Sequence, residues 1–117
     1  MKILIVDDDQ NILRLYKEEL EEDGYTVVTA SNGEEAMEQF EKESPDLVTL
    51  DILLPDIDGI KLLRQMKEKK PRMPVIMSTA YDYRDDFAVW ASEAYIVKSA
   101  DLTELKSTIK KLTAKES

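Results

Sequence analysis

KILIVD, Lys2–Asp7, begins with an apolar run too continuous to alternate between a buried and a solvated face, so it reads as a strand covered on both sides. Working outward, Asn11–Asp23 carries Ile12, Leu13, Tyr16 and Leu20 at helical spacing, and Gly24 is placed to end that helix. Tyr25–Ala30 is rich in β-branched residues and reads as a second strand. Asn32 offers an N-cap with Glu35 three residues on, and Ala36, Met37 and Phe40 form the apolar stripe of the helix that follows. The plan then repeats. Leu47–Asp51 is a strand; Pro55 and Gly59 mark a turn before a helix with Ile60, Leu63 and Met66; Pro71 and Pro74 lead to the strand Val75–Ser78. Asp82 can cap a short helix reaching about Trp90 or Ala91, Ala94–Val97 is a fifth strand, and Asp101 with Glu104 caps a last helix burying Leu105, Ile109 and Leu112.

Five strands alternating with helices in a chain of 117 residues predict a single domain, 1–117, with a parallel sheet wrapped on both faces. The expected fold is α/β: a flavodoxin-like (βα)5 doubly wound sheet, with five parallel strands in the order 2-1-3-4-5. Composition narrows the chemistry. Asp and Glu number 25 against 16 Lys and Arg, a net charge of −9, which favours solubility and repels nucleic acid and anionic membrane. The apolar runs are too short to span a bilayer and no signal-peptide pattern opens the chain, so the expected location is cytoplasmic. There are no cysteines and no histidines, which excludes disulfides, thiolate nucleophiles, Cys or His zinc sites and histidine-dependent hydrolases.

In a doubly wound sheet the site lies beyond the carboxyl ends of the strands. Those ends carry Asp7-Asp8-Asp9, Asp51, Ser78-Thr79 and Lys98. Crowded carboxylates repel, so one stays protonated or a cation joins them. Without imidazole or thiolate the suitable cation is hard, most simply Mg2+, which keeps positions open for phosphate oxygens. Thr79 and Lys98 are the groups suited to hold the remaining oxygens of such a phosphate. Asp9 reads as a cap for the first helix, and Asp56, Asp58 and Gly59 as a turn and helix start. Taken singly, each motif has an ordinary structural explanation; independent capping would not gather all of them at one edge.

The segments ILIVDDD (Ile3–Asp9), LVTLDILLPDIDG (Leu47–Gly59), VIMSTA (Val75–Ala80) and AYIVKS (Ala94–Ser99), in this order, resemble the receiver domain of two-component response regulators, of the chemotaxis type, over essentially the whole chain. The resemblance implies that Asp51 is the phosphoacceptor for a partner histidine kinase or histidine phosphotransfer protein. It implies Asp8 as direct Mg2+ ligand, Asp7 as water-mediated ligand and the backbone carbonyl of Leu53 as the last protein ligand. It further implies that Thr79, the Ala80 amide and Lys98 bind the phosphoryl group, and that Thr79 and Tyr95 form a switch altering the face of the fourth helix, fifth strand and last helix, roughly Asp82 to Leu112. The implied role is signalling rather than enzymatic, with a separate protein target or a linked output domain downstream, and no nucleic acid or membrane bound directly.

Three departures from that family pattern stand out. Ser99 follows Lys98 where the family usually has proline after a cis bond, so Lys98–Ser99 is either trans, shifting the following loop, or a strained cis bond. Thr79 and Lys98 are 19 positions apart, shorter than expected by most of a helical turn. Leu53 and Tyr81 occupy positions where the family often places polar groups to orient the hydrolytic water, which predicts a long-lived phosphoryl group. Two rival functions are a binding-only pseudo-receiver and an aspartyl-nucleophile phosphatase. The second typically needs an Asp two residues after the nucleophile, and position 53 is Leu.

Overall fold

The apolar runs become strands and the amphipathic stretches become helices. A computed structural model describes residues 1–79, 94–97 and 102–114. The elements run β1 (Lys2–Val6), α1 (Gln10–Glu22), β2 (Thr26–Ala30), α2 (Gly33–Glu43), β3 (Leu47–Leu50), α3 (Gly59–Lys69), β4 (Val75–Thr79), β5 (Ala94–Val97) and α4 (Thr103–Ala114). The helix expected between Asp82 and about Trp90 lies outside the described residues, as does the Asp101 cap, so the C-terminal helix is α4 here.

The strands form one sheet in the order β2-β1-β3-β4-β5, every pair parallel. Each β1 residue from Ile3 to Val6 is buried, because β1 has strands on both sides and helices on both faces. Alternate residues divide between two cores. Leu4 and Val6 join Phe40, Leu63 and Met66 on the α2–α3 face. Ile3 and Ile5 join Leu13, Leu20, Leu105 and Ile109 on the α1–α4 face. This period-2 division explains why the strands read as continuous apolar runs.

The helix ends follow the local signals. Gly24 takes φ 95°, a left-handed conformation open to glycine at little cost. Its amide donates to Glu21 O at 3.0 Å and the next amide, of Tyr25, to Leu20 O at 3.2 Å, the paired bonds of a Schellman stop. Asp9 caps α1 by accepting from Asn11 N at 2.9 Å. Among the described residues no helix is long and apolar enough to cross a membrane.

Candidate functional site

Two aspartates are carried to the carboxyl edge of the sheet by the strand ladders themselves. Asp7 and Asp51 each lie one residue past a strand, yet their amides still pair. Asp7 N donates to Ala30 O at 3.0 Å, and Asp51 N donates to Val6 O at 3.0 Å. Because β1 and β3 are neighbours in register, Val6 against Leu50, the residues that follow them emerge side by side. Asp7 and Asp51 are buried, at 2% and 3% exposure, whereas Asp8 is exposed. Carboxylate oxygens of Asp7, Asp8 and Asp51 all lie within 4.8 Å of one another.

Each buried carboxylate is oriented by an amide two residues on. Asp9 N donates to Asp7 Oδ1 at 2.9 Å, and Leu53 N donates to Asp51 Oδ1 at 3.1 Å. These turns use one oxygen of each carboxylate and fix its direction. The donor set is all hard oxygen, and exposed Asp8 places one carboxylate at the solvent side of the cluster. That combination fits Mg2+, which takes one or two carboxylates and retains waters.

The loop from Asp51 to Gly59 is held at both ends. Gly59 N donates to Ile52 O at 2.8 Å, and Leu53 and Asp58 form an isolated antiparallel bridge. Asp58 caps α3 by accepting from Ile60 N at 2.8 Å. Gly59 is required by space: a Cβ there would lie 2.2 Å from Asp51 O and 2.6 Å from Ile52 Cα. Asp56, read in the sequence only as a turn residue, reaches across to α2. Its Oδ1 accepts from Gly33 N at 2.7 Å and its Oδ2 from Glu34 N at 3.0 Å. The Gly33 hydrogen bond chiefly, with that from Glu34, holds the Asp56 carboxyl below the usual carboxylate range. No local signal announces this contact, since it spans 23 and 22 positions of sequence.

The remaining candidates are placed in part. Leu53 is half exposed, at 50%, beside the acidic cluster. The backbone of Thr79 ends β4 and pairs in register with Val97, and that of Tyr95 pairs with Met77. Ala80, Tyr81, Lys98 and the Lys98–Ser99 bond lie outside the described residues. Ser78, one residue past Met77 as Asp51 is one past Leu50, is buried, and its Oγ has no hydrogen-bond partner among the described residues.

A family model described as the response regulator receiver domain matches residues 3–110. The alkaline phosphatase synthesis transcriptional regulatory protein PhoP of Bacillus subtilis (strain 168) is 39% identical over 112 residues, covering 93% of this chain and 47% of that protein. This chain therefore spans about half the length of that relative. The sporulation initiation phosphotransferase F of the same organism is 37% identical over 113 residues, covering 94% of this chain and 91% of that protein. Among solved structures, the response regulator protein TrrA of Thermotoga maritima in complex with Mg2+-BeF is 47% identical with a TM-score of 0.91, covering 95% of this chain and 97% of that one. TrrA in complex with the histidine kinase ThkA matches with a TM-score of 0.89 at the same 47% identity and the same coverage of both chains, 95% and 97%.

Proposed function

The chain belongs to the response regulator receiver domain family, and on that premise we propose that it is a phosphorylation-dependent switch whose acceptor is Asp51. The observation that carries this reading is the meeting of Asp7, Asp8 and Asp51 at the carboxyl edge, with Asp51 buried and one of its oxygens held by the Leu53 amide.

In this reading the Asp51 carboxylate attacks the phosphorus of a phosphohistidine on a partner kinase or phosphotransfer protein. A P–O bond forms, the P–N bond breaks, and the imidazole leaves with the bonding pair. The histidine absent from this chain is supplied by the partner. Asp8, Asp51 and the Leu53 carbonyl would hold Mg2+ directly and Asp7 through water; the ion would neutralise charge on the phosphoryl oxygens. Thr79, the Ala80 amide and Lys98 take the phosphoryl group, as the family resemblance assigns them. The phosphoryl group carries about −1.5 to −2 charges in place of the carboxylate's −1 and presents three acceptors, and Thr79 with Tyr95 relays its arrival to the surface between Asp82 and Leu112. The domain signals and is not a classical enzyme. The relatives include both transcriptional regulators and a phosphotransferase of nearly this chain's length, so they support the receiver family without singling out its chemotaxis-type members. Its downstream target is a separate protein or a linked output domain.

Incubation with a small phosphodonor and Mg2+, followed by intact-mass analysis, should show a single phosphoryl adduct that does not form when chelator is present from the start. No adduct with Mg2+ present would overturn the proposal. The half-exposed Leu53 side chain offers no polar group to orient an attacking water, so the adduct should persist well beyond seconds and Leu53→Asn should shorten its lifetime. Loss of label within seconds from the wild type, not hastened by Leu53→Asn, would contradict this.

A further inference from the structure

The first turn of α2 has a complete account of its amide donors, and two of them are satisfied from another loop. Asn32 Oδ1 accepts from Glu35 N at 2.8 Å, and Asn32 O accepts from Ala36 N at 3.0 Å. The Gly33 and Glu34 amides, which a helix leaves unpaired, donate to the two oxygens of Asp56. The fit is close, because a Cβ on Gly33 would lie 2.2 Å from Ile57 Cγ2. The helix dipole favours the carboxylate at this end.

Asp56 is exposed, so its contribution to overall stability is small and its consequence is local. The loop that begins at Asp51 and contains Leu53 is tied at its base by Gly59 N to Ile52 O, and at its tip by Asp56 to α2. With the tip released, Leu53 is still held by its amide bond to Asp51 Oδ1 and its bridge to Asp58; what the loop loses is its tie to α2, so the closed Leu53–Asp58 turn can tilt as a unit against the acidic cluster. We propose that Asp56 is a positioning residue for cation binding: by clamping the loop tip to the N-terminus of α2 it preorganises the Asp51–Leu53 segment for Mg2+. This inference rests on the reading of Asp7, Asp8 and Asp51 as the cation site.

Thermodynamic reciprocity makes the clamp measurable from both ends. If the clamp tightens Mg2+ binding by some factor, Mg2+ must tighten the clamp by the same factor. Calorimetric titration with Mg2+ should show Asp56→Ala weakening affinity roughly tenfold, the lower range for loss of a supporting contact around a metal site. Asp56→Asn, which keeps an acceptor for one amide, should recover part of the loss. At saturating Mg2+ the phosphorylation rate of Asp56→Ala should approach that of the wild type, a rescue that general misfolding would not permit. In the wild-type chain, Mg2+ should slow hydrogen exchange at the Gly33 and Glu34 amides more than at Glu35, whose acceptor is α2's own cap. Equal Mg2+ affinity in wild type and folded Asp56→Ala, or no slowing at Gly33 and Glu34 in a wild type that binds Mg2+, overturns the clamp. Failure of the wild type to bind Mg2+ at all instead overturns the cation site on which the clamp depends.

Discussion

Asp51→Asn should leave the domain folded and abolish its phosphoryl adduct. The carboxylate is buried at 3% exposure and accepts from Leu53 N at 3.1 Å. An asparagine fits the same volume and can keep that hydrogen bond through its amide oxygen. It loses the charge and nucleophilicity that phosphoryl transfer requires. The substitution also removes one negative charge from a group whose oxygens lie within 4.8 Å of one another. Carboxylates this close repel one another, so removing one charge offsets part of any lost contact. Intact-mass analysis after treatment with phosphodonor and Mg2+ should therefore find no adduct, while thermal unfolding in chelator stays close to that of the wild type. An undiminished adduct would place the acceptor elsewhere. A collapse in stability would mean that Asp51 is chiefly structural.

Gly59→Ala should damage fold and site together. The new Cβ would meet Asp51 O at 2.2 Å, Ile52 Cα at 2.6 Å and Ile52 O at 2.8 Å. All three are backbone atoms, so no rotamer change relieves the overlap. The loop must open, straining or breaking the 2.8 Å bond from Gly59 N to Ile52 O and displacing the residue that carries the acceptor carboxylate. Overpacking typically costs about 1–3 kcal/mol, and contact with backbone alone puts this case near the top of that range. Denaturant unfolding should show a loss of about 3 kcal/mol, and saturating Mg2+ should not restore phosphorylation, in contrast to Asp56→Ala. A variant within about 0.5 kcal/mol of wild type and fully phosphorylated would show that the loop adapts freely.

The strands and the helices α1, α2, α3 and α4 were legible because each is encoded by neighbouring residues. The continuous apolar run at Ile3–Val6 marks a strand buried on both faces, and the Asn32–Glu35 pair marks the start of a helix. The capping role of Asp9 was legible for the same reason, since it accepts from an amide two residues away, and Asp58, read as part of a turn and helix start, caps α3 in the same way. The acidic cluster was legible one step further out. Once parallel strands place their carboxyl ends on one edge, Asp7, Asp8 and Asp51 must approach, and they do.

Gly59 and Asp56 show where sequence reading stops. In the sequence both are ordinary turn residues before a helix. Folding makes Gly59 the only kind of residue that fits against the Asp51 and Ile52 backbone, and makes Asp56 the acceptor for two first-turn amides of a helix 22 and 23 positions earlier. The strand–helix alternation, the two-faced sheet and the convergence of carboxylates follow from local pattern, because periodicity and strand polarity act within a few residues. Which backbone atoms leave no room for a side chain, and which helix receives the Asp56 carboxylate, emerge only on packing. Those contacts depend on how α2 and the β3–α3 loop pack against the sheet, a geometry that no local pattern in either segment specifies.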